Sequence, residues 1–322
     1  GAGGGFIIAP ALMSAGVKGI LAVGTDLFHI FAKAIMGSVL HRKMGNVSVP
    51  LAFVFLIGAI VGTTVGAGIN RFLYNVNPVL SDTFITVVYT IMLGFLGFYG
   101  MYDYFSAKKA GVKGGAHDAK EGASMTGIAQ KLQSITLPPM VTFDQGLIPG
   151  GRKISWLFLV LSGALVGMAA GIMGVGGGFL TFPIFVYILG VSSLTTVGTD
   201  IFQIVFTAGY GAITQYAIYG FIFYTLAMGM LLGSLVGIQI GALVTKVVPG
   251  ITIRGFFAVS VMAGFVNRFF ALPKKLVSME ILPASWAGLA KGMDTVGMYL
   301  FFIVIALSAS GCLVHFSRIS RH

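Results

Sequence analysis

Three ionisable side chains lie close together in an apolar stretch near the start of the sequence. Asp26, His29 and Lys33 are separated by three and four residues within GTDLFHIFAKAIMGSVL, so a helix would carry all three on one face. Charged groups at membrane depth are costly and usually mark a transport pathway or a binding site. We therefore expect His29 and Lys33 to bind a small anion. The alternative for Lys33 is that its long side chain only reaches to the membrane surface.

A second polar face has the same beginning and a different continuation. Asp200, Gln203 and Thr207 succeed one another at helical spacing, and only the aspartate is charged. If the two faces lie opposite each other, they form a polar cavity with one positive charge, which Lys33 supplies. Gln203 is therefore also a predicted substrate-binding residue.

Both faces begin in a Gly-Thr-Asp triplet, at residues 24–26 and 198–200. Thr25 and Thr199 are predicted to bind substrate. Two interpretations stay open for Asp26 and Asp200: they cap helix starts, as Thr and Asp often do, or they carry a coupling proton or cation.

Two glycine clusters interrupt apolar segments in the same way. GAGGGFIIAP opens the sequence, and GVGGGFLTFP occupies residues 174–183. Glycines that break a helix leave backbone N–H groups free, and a short helix starting there points its positive end at an anion. Close helix packing through small residues is the alternative. Pro10 and Pro183 are expected in the first turn of each short helix or at a kink. The predicted anion-binding glycines are Gly3, Gly4, Gly5, Gly176, Gly177 and Gly178.

The composition indicates an integral membrane protein. Of 322 residues, 57% are hydrophobic and 9% are charged, against about 25% charged in soluble domains. The net charge of +11 comes largely from basic residues that flank apolar segments or lie in one loop, a pattern typical of cytoplasmic loops rather than of nucleic-acid binding. With a single cysteine, Cys312, and histidines without ligand spacing, no metal or cofactor is expected. No nucleophile or acid–base pair indicates an enzyme.

Eight apolar segments approach or reach the length that a bilayer requires, about 17–20 residues. They are 20–40, 49–69, 84–101, 154–172, 197–216, 221–244, 251–266 and 295–314. Two shorter segments, 6–15 and 179–189, come directly after the glycine clusters and are predicted to be re-entrant half-helices.

The two halves of the sequence resemble each other in three places. Besides the glycine clusters and the triplets, GAIVGTTVGAGI at 58–69 matches GMLLGSLVGIQI at 229–240, and glycines spaced by four in both predict helix packing. We infer a duplication and favour parallel copies over inverted ones. The expected loops on the cytoplasmic side are then 41–46, the connector and 267–275. A helix is expected to precede Gly1, because one precedes the second cluster.

The predicted fold is an all-α membrane protein of two repeats. Each repeat has about four transmembrane helices with a glycine-broken half-helix, and one further helix comes after the second. The predicted divisions are a first repeat at 1–101, a polar, basic, cytoplasmic connector at 102–153, a second repeat at 154–266, and a loop, helix and basic tail at 267–322.

The doubled GxGGGF…P motif with a VGTD sequence after it resembles the sulfite exporter TauE/SafE family of bacterial membrane permeases. The likeness covers nearly the whole chain and is weakest over 102–153 and 293–314. This chain has Thr-Asp where the family often has Thr-Ser. The resemblance implies a duplicated helical fold in the cytoplasmic (inner) membrane and transport of sulfite, sulfonates or related anions.

The predicted function is therefore a secondary transporter of a small anion, with sulfite or a related sulfur or organic anion as its substrate. Its partners would be that anion, the lipid bilayer, a coupling proton or cation, and a second copy of the chain. The other candidate functions are a passive anion channel and a membrane subunit of a larger assembly that docks through the connector.

Overall fold

The computed structural model describes residues 4–43, 45–109, 127–144, 150–247 and 250–319. Helices dominate, with one two-stranded sheet. The helices are α1 Gly5–Ser14, α2 Gly19–Lys43, α3 Val49–Val76, α4 Pro78–Lys109, α5 Gly127–Ser134, α6 Trp156–Met173, α7 Gly178–Pro183, α8 Ser193–Tyr210, α9 Tyr224–Val247, α10 Gly250–Ser278 and α11 Ala287–Ile319. The strands are β1 Met140–Phe143 and β2 Arg152–Ser155.

Six helices of the described chain are long and apolar enough to cross a membrane. They are Gly19–Lys43, Val49–Val76, Pro78–Lys109, Trp156–Met173, Gly255–Ser278 and Ala284–Ser308. The all-α membrane class is confirmed. The predicted segments 197–216 and 221–244 also fall on helices, but α8 passes into one turn of π-helix at Gly211–Tyr216, and the described apolar part of α9 is short.

Both glycine clusters lead into short helices, and each contains a proline at its sixth residue. Pro10 lies within α1. Pro183 ends α7, after which the chain continues as a π-helix over Ile184–Leu189. Proline removes a backbone donor and clashes with the preceding turn, which favours such a change in helix geometry. The prolines thus lie beyond the first turn, as the kink interpretation requires.

The predicted connector contains ordered elements. Helix α4 extends into it as far as Lys109, and its second half contains α5 and the antiparallel pair β1–β2. Val141, Phe143 and Ile154 of the two strands are buried in a core that also contains Leu159 and Phe185. This part of the segment therefore packs on the second half of the chain, where the sequence led us to expect a plain polar linker.

Helices α2 and α8, which carry the two Gly-Thr-Asp triplets, run antiparallel. Gly37, late in α2, packs against Ile201, early in α8, while Gly209, late in α8, packs against Phe31. The expectation of parallel copies is therefore wrong for these two helices. Hydropathy fixes the length of a membrane helix but not its direction, which is why the sequence misled us. The duplication itself stays a prediction.

The basic stretch at 267–275 and the first residues of the connector lie at opposite ends of α4. Lys275 Nζ is 3.1 Å from Asp82 Oδ2, near the start of α4, whereas the connector begins at the other end of that helix. From Asp82 to Lys109 the helix rises about 40 Å at 1.5 Å per residue. The expectation that the two share one side of the membrane is therefore wrong for residues 102–109 of the connector.

Helices α3 and α6 approach closely because glycines from both are interleaved. A Cβ added to Gly62 would lie 2.0 Å from the carbonyl oxygen of Ala164, and one added to Gly167 would lie 2.1 Å from that of Ala59. Gly58 and Gly66 make the same kind of contact, so the packing prediction is confirmed for this stripe. Within the described structure, nothing lies within 4 Å of a Cβ on the second stripe at Gly229, Gly233 and Gly237.

The chain forms two compact units that do not coincide with the predicted halves. One comprises Gly1–Gly5, Ile20–Phe72 and Glu121–Leu231, and the other comprises Phe6–Gly19, Leu73–Lys120 and Leu232–His322. We call them the first and second unit. Each contains segments from both halves of the sequence.

Candidate functional site

The polar face of α2 lies in the first unit, against the first glycine cluster. Asp26 and His29 are fully buried, with His29 Nδ1 3.6 Å from Asp26 Oδ1. Lys33 is half-buried, and its ammonium nitrogen is 3.8 Å from the position of a Cβ on Gly4. The structure therefore brings the predicted lysine to the predicted break. Gly3 lies outside the described residues.

The polar face of α8 forms a hydrogen-bonded chain within itself. Gln203 Nε2 donates to Asp200 Oδ1 at 3.0 Å, and Thr207 Oγ1 donates to Gln203 Oε1 at 2.7 Å. All three side chains are at most 2% exposed. The Thr181 hydroxyl of α7 also contacts the Asp200 carboxylate. Gln203 was predicted to bind substrate, yet both ends of its amide are already engaged by its neighbours.

The two glycine breaks meet each other near the middle of α2 and α8. A Cβ on Gly5 would lie 2.7 Å from Val175 Cα, and one on Gly176 would lie 2.9 Å from a methyl carbon of Ile30 and 3.5 Å from one of Ile204. Gly4 and Gly176 both have positive φ, at 76° and 67°, a conformation that favours glycine. The sequence therefore needs glycine here for backbone geometry and for space.

Gly177 and Gly178 complete the second break. Gly177, with φ 87°, is the N-cap residue of α7 and makes no side-chain capping bond; a Cβ there would lie 2.5 Å from a methyl carbon of Val166. Gly178 is the first residue of α7 and is buried. As predicted, backbone N–H groups at the start of a short helix lie inside the protein without a side-chain cap.

Asp26 and Asp200 do not cap their own helices. Each is the eighth residue of its helix, because α2 begins at Gly19 and α8 at Ser193. Helix α8 is capped instead by Ser192, whose hydroxyl oxygen accepts from Thr195 N. The capping interpretation is therefore wrong in that form.

Each aspartate lies instead against the first turn of a short helix. Asp26 Oδ2 is 3.1 Å from the position of a Cβ on Gly5, where α1 begins. Asp200 contacts Thr181, the fourth residue of α7. A carboxylate near a helix N-terminus is favourable because it offsets the positive end of the helix dipole. Both aspartates therefore lie where a negative charge offsets the positive end of a short helix.

The two triplet threonines bond to the starts of other helices. Thr25 Oγ1 accepts from Phe223 N at 2.9 Å, just before α9, and Thr199 Oγ1 accepts from Ser48 N at 3.0 Å, just before α3. Both threonines are fully buried. Each hydroxyl oxygen therefore satisfies a helix-start N–H group, and substrate binding by Thr25 and Thr199 stays a prediction.

The two triplet glycines leave the space that the loops need in order to form these hydrogen bonds. A Cβ on Gly24 would lie 2.3 Å from the carbonyl oxygen of Phe221, and one on Gly198 would lie 2.4 Å from that of Asn46. In both cases the threonine bonds to the N–H group two residues further along. In each Gly-Thr pair, the glycine leaves room for a loop to approach and the threonine hydrogen-bonds to that loop. The repeated triplet was the signal, but the partners are too distant in sequence to infer.

Sequence reasoning missed the groups that satisfy the broken end of α6. Asn70 Nδ2 donates to the carbonyl of Ile172 at 2.9 Å and contacts the Tyr216 hydroxyl at 3.0 Å. That hydroxyl donates in turn to the carbonyl of Gly171. The last carbonyls of a helix lack partners within the helix, and none can come from lipid. The signal in the sequence was Asn70, a polar residue followed by Arg71 near the end of a long apolar helix.

Comparison with known proteins places the chain in a family. The family model described as "Sulfite exporter TauE/SafE" matches residues 1–268. The "Probable membrane transporter protein YjnA" of Bacillus subtilis is 24% identical over 250 residues, 75% of this chain and 82% of that protein. Proteins called "Probable membrane transporter protein" from two strains of Xylella fastidiosa are 27% identical over 127 residues, 39% of this chain and 43% of theirs.

The chain therefore aligns with less than half the length of the Xylella relatives. No solved structure matches it. The family model, in contrast, covers both glycine breaks, both Gly-Thr-Asp triplets and both polar faces described above. This multi-pass helical membrane protein belongs to the sulfite exporter TauE/SafE family.

Proposed function

We propose that the protein is a secondary transporter of a small anion, with sulfite or a related sulfur-containing or organic anion as its substrate. The observation that carries this proposal is the meeting of two glycine breaks beside Lys33 in the first unit. The family description and the names of the relatives support transport and sulfite.

Lys33 and the backbone N–H groups of the breaks would hold the anion. Lys33 is the fifteenth of 25 residues in α2, so its charge lies deep in a candidate membrane span. Gly4 and Gly5 lie beside this face of α2, and the break at Gly176–Gly178 meets them. Oriented N–H groups and a cation in a water-poor setting bind an anion far more strongly than in water.

Asp26 is the residue proposed to couple transport to protons. Asp26 and Lys33 attract each other along one face of α2, so an ionised Asp26 competes with the anion for the lysine charge. Protonation removes this competition. Anion and proton would then bind together, while Asp200, bonded to Gln203, holds α7 in place. His29, beside Asp26, would be the further donor to the anion.

The antiparallel arrangement of α2 and α8 supports alternating access. Inverted helices around a midpoint site allow the same packing to open first to one side of the membrane and then to the other. The bonds from Thr25 and Thr199 to the starts of α9 and α3 would keep each loop in register during this movement. The cytoplasmic membrane, with the connector on its cytoplasmic side, is the proposed location.

The test is uptake of radiolabelled sulfite into proteoliposomes. We expect saturable uptake that a proton gradient stimulates, and a loss of about tenfold or more in Lys33→Ala. Lys43→Ala is the matched control, because Lys43 is exposed at the end of the same helix. Equal uptake by Lys33→Ala and wild type would remove Lys33 from the site. Uptake that neither saturates nor depends on protons would replace the transporter with a passive channel.

A further inference from the structure

A small polar cavity is lined entirely by residues of the second unit. It has a volume of about 150 Å³ and is lined by the end of α1, the turn before α2, and residues of α4, α10 and α11. Sites for drug-sized ligands occupy about 300–1,000 Å³, so this volume suits a small ionic group. None of the residues that line it belongs to the proposed transport site.

A buried arginine faces this cavity, and its hydrogen-bond partners are neutral. Arg268 is 2% exposed. Its Nε donates to Asn267 Oδ1 at 2.8 Å, and its Nη2 donates to Ser14 Oγ. Ser14 Oγ donates to the same Asn267 oxygen at 3.0 Å. Among the described residues, no carboxylate lies within ion-pair distance of the guanidinium and Nη1 has no hydrogen-bond partner. Asp294 and Asp82 attract this charge only from beyond ion-pair distance, and burying a charge without a contacting counter-ion is costly.

The carboxylates that line the cavity are already neutralised by lysines. Asp82 Oδ2 is 3.1 Å from Lys275 Nζ, and its Oδ1 accepts from Gly19 N at 2.8 Å. Asp294 Oδ2 is 2.6 Å from Lys274 Nζ. The remaining cations of the lining are Arg268 and Lys18, so four positive side chains face two negative ones. The lining therefore has an excess of two positive charges.

We propose that this cavity binds a phosphate-like oxyanion, with Arg268 as its principal ligand. The guanidinium is held in a fixed orientation by Asn267 and Ser14, which leaves Nη1 to bind an anion oxygen. Arginine suits this role because its planar fork matches the oxygens of tetrahedral and trigonal anions. Lys18, exposed at the rim, adds charge without fixed geometry. The ligand is either a free inorganic oxyanion or the phosphate of a lipid headgroup.

The site does not depend on the proposed transport mechanism, and it is tested by equilibrium binding to the purified full-length protein. One arm titrates inorganic phosphate, sulfate and sulfite into lipid-free detergent solution by calorimetry. The other measures retention of phosphatidic acid after delipidation by native mass spectrometry, with a neutral diacylglycerol as the comparison. Anion binding in the first arm identifies a free oxyanion, and selective retention in the second arm alone identifies a lipid headgroup.

Arg268→Gln should weaken whichever ligand binds by about tenfold or more, as expected for loss of a charge-assisted hydrogen bond. Arg42→Gln, an exposed arginine in the first unit, makes the same charge change and should have no effect. If Arg268→Gln does not fold, Lys18→Gln keeps the test open and should weaken binding about threefold by charge alone. Absence of binding in both arms, or equal binding by wild type and all variants, overturns the proposal.

Lys33→Ala distinguishes this site from the transport site. We expect it to lower uptake by about tenfold or more and to leave binding at Arg268 unchanged. If Lys33→Ala removes all oxyanion binding while Arg268→Gln removes none, the cavity in the second unit is not an anion site. If the protein does not take up sulfite, the binding result at Arg268 is unaffected. The two proposals are therefore tested independently.

Discussion

The polar faces of α2 and α8 start from the same triplet and differ in their later residues. Asp26 and Asp200 are each the eighth residue of their helix, and each lies against the first turn of a short helix. Three residues on, α2 has His29 and α8 has Gln203. After four more, α2 has Lys33 where α8 has Thr207. One face therefore carries a cation, and the other is uncharged apart from its aspartate.

This difference in charge indicates different roles for the two faces. Thr207 donates to Gln203, and Gln203 donates to Asp200, so the polar side chains of the α8 face hydrogen-bond to one another. The α2 face instead directs Lys33 at the first glycine break. Gly24 and Thr25 contact a loop beside one face, and Gly198 and Thr199 make the matching contacts beside the other. We call these four residues and their contacts the shared frame. We infer that the α8 face stabilises the break in α7 and the α2 face binds the anion.

The largest expected effect is a loss of stability when a side chain is added at Gly24 or Gly198 of the shared frame. Gly24→Val and Gly198→Val would each drive a side chain into a loop carbonyl, because even a Cβ comes within 2.3 Å or 2.4 Å of it. We expect each to lower the free energy of unfolding by about 3 kcal/mol or more. Thermal unfolding in detergent measures this. Gly68→Val is the control, since nothing lies within 4 Å of a Cβ there. Unequal losses at the two glycines would mean that the frame is not shared.

The two aspartates should differ in proton coupling. In the wild type, sulfite uptake should rise as pH falls, because protonation of Asp26 removes the charge that competes for Lys33. Asp26→Asn should keep uptake high and remove this pH dependence, which we expect to be about tenfold. Asp200→Asn should preserve it, because an asparagine oxygen still accepts from Gln203. Loss of pH dependence in Asp200→Asn alone would assign coupling to α8. Uptake by both variants across pH 5–8, normalised to protein content, provides the measurement.

The triplet threonines should have smaller and equal effects on stability. Thr25→Val and Thr199→Val each leave one helix-start N–H group without its acceptor. The expected loss is about 1 kcal/mol for each, with the concentration of sulfite at half-maximal uptake unchanged. The double variant should lose the sum, because the two bonds share no atoms. An increase in that concentration for either variant would assign that threonine to substrate binding.

Several features of the fold could be predicted because they are local. Apolar length predicts membrane helices, and the glycine clusters predict where the short helices α1 and α7 begin. The spacing of Asp26, His29 and Lys33 correctly predicts a common helix face. Glycines four residues apart correctly predict the packing of α3, but the partner helix α6 is about 100 residues away in sequence and could not be named.

Features that depend on distant partners could not be predicted. Thr25 bonds to a residue 198 positions away, and Thr199 to one 151 positions away. The threonines therefore looked like free polar groups in the sequence. Hydropathy likewise does not show that α2 and α8 run antiparallel. Asp200 was predicted to match Asp26 in function, because nothing local shows that Gln203 and Thr207 bond within their own helix.

The most direct test of the central claim is equilibrium sulfite binding to purified Lys33→Gln and Thr207→Val. These positions correspond on the two polar faces, and Thr207→Val removes a bond only to Gln203. Both substitutions are made in the Arg268→Gln background, so that calorimetry in detergent carries no contribution from the cavity at Arg268. The account predicts that Lys33→Gln weakens binding by about tenfold or more, while Thr207→Val stays within about twofold of the Arg268→Gln parent. Equal losses in the two variants, or a greater loss in Thr207→Val, would contradict it.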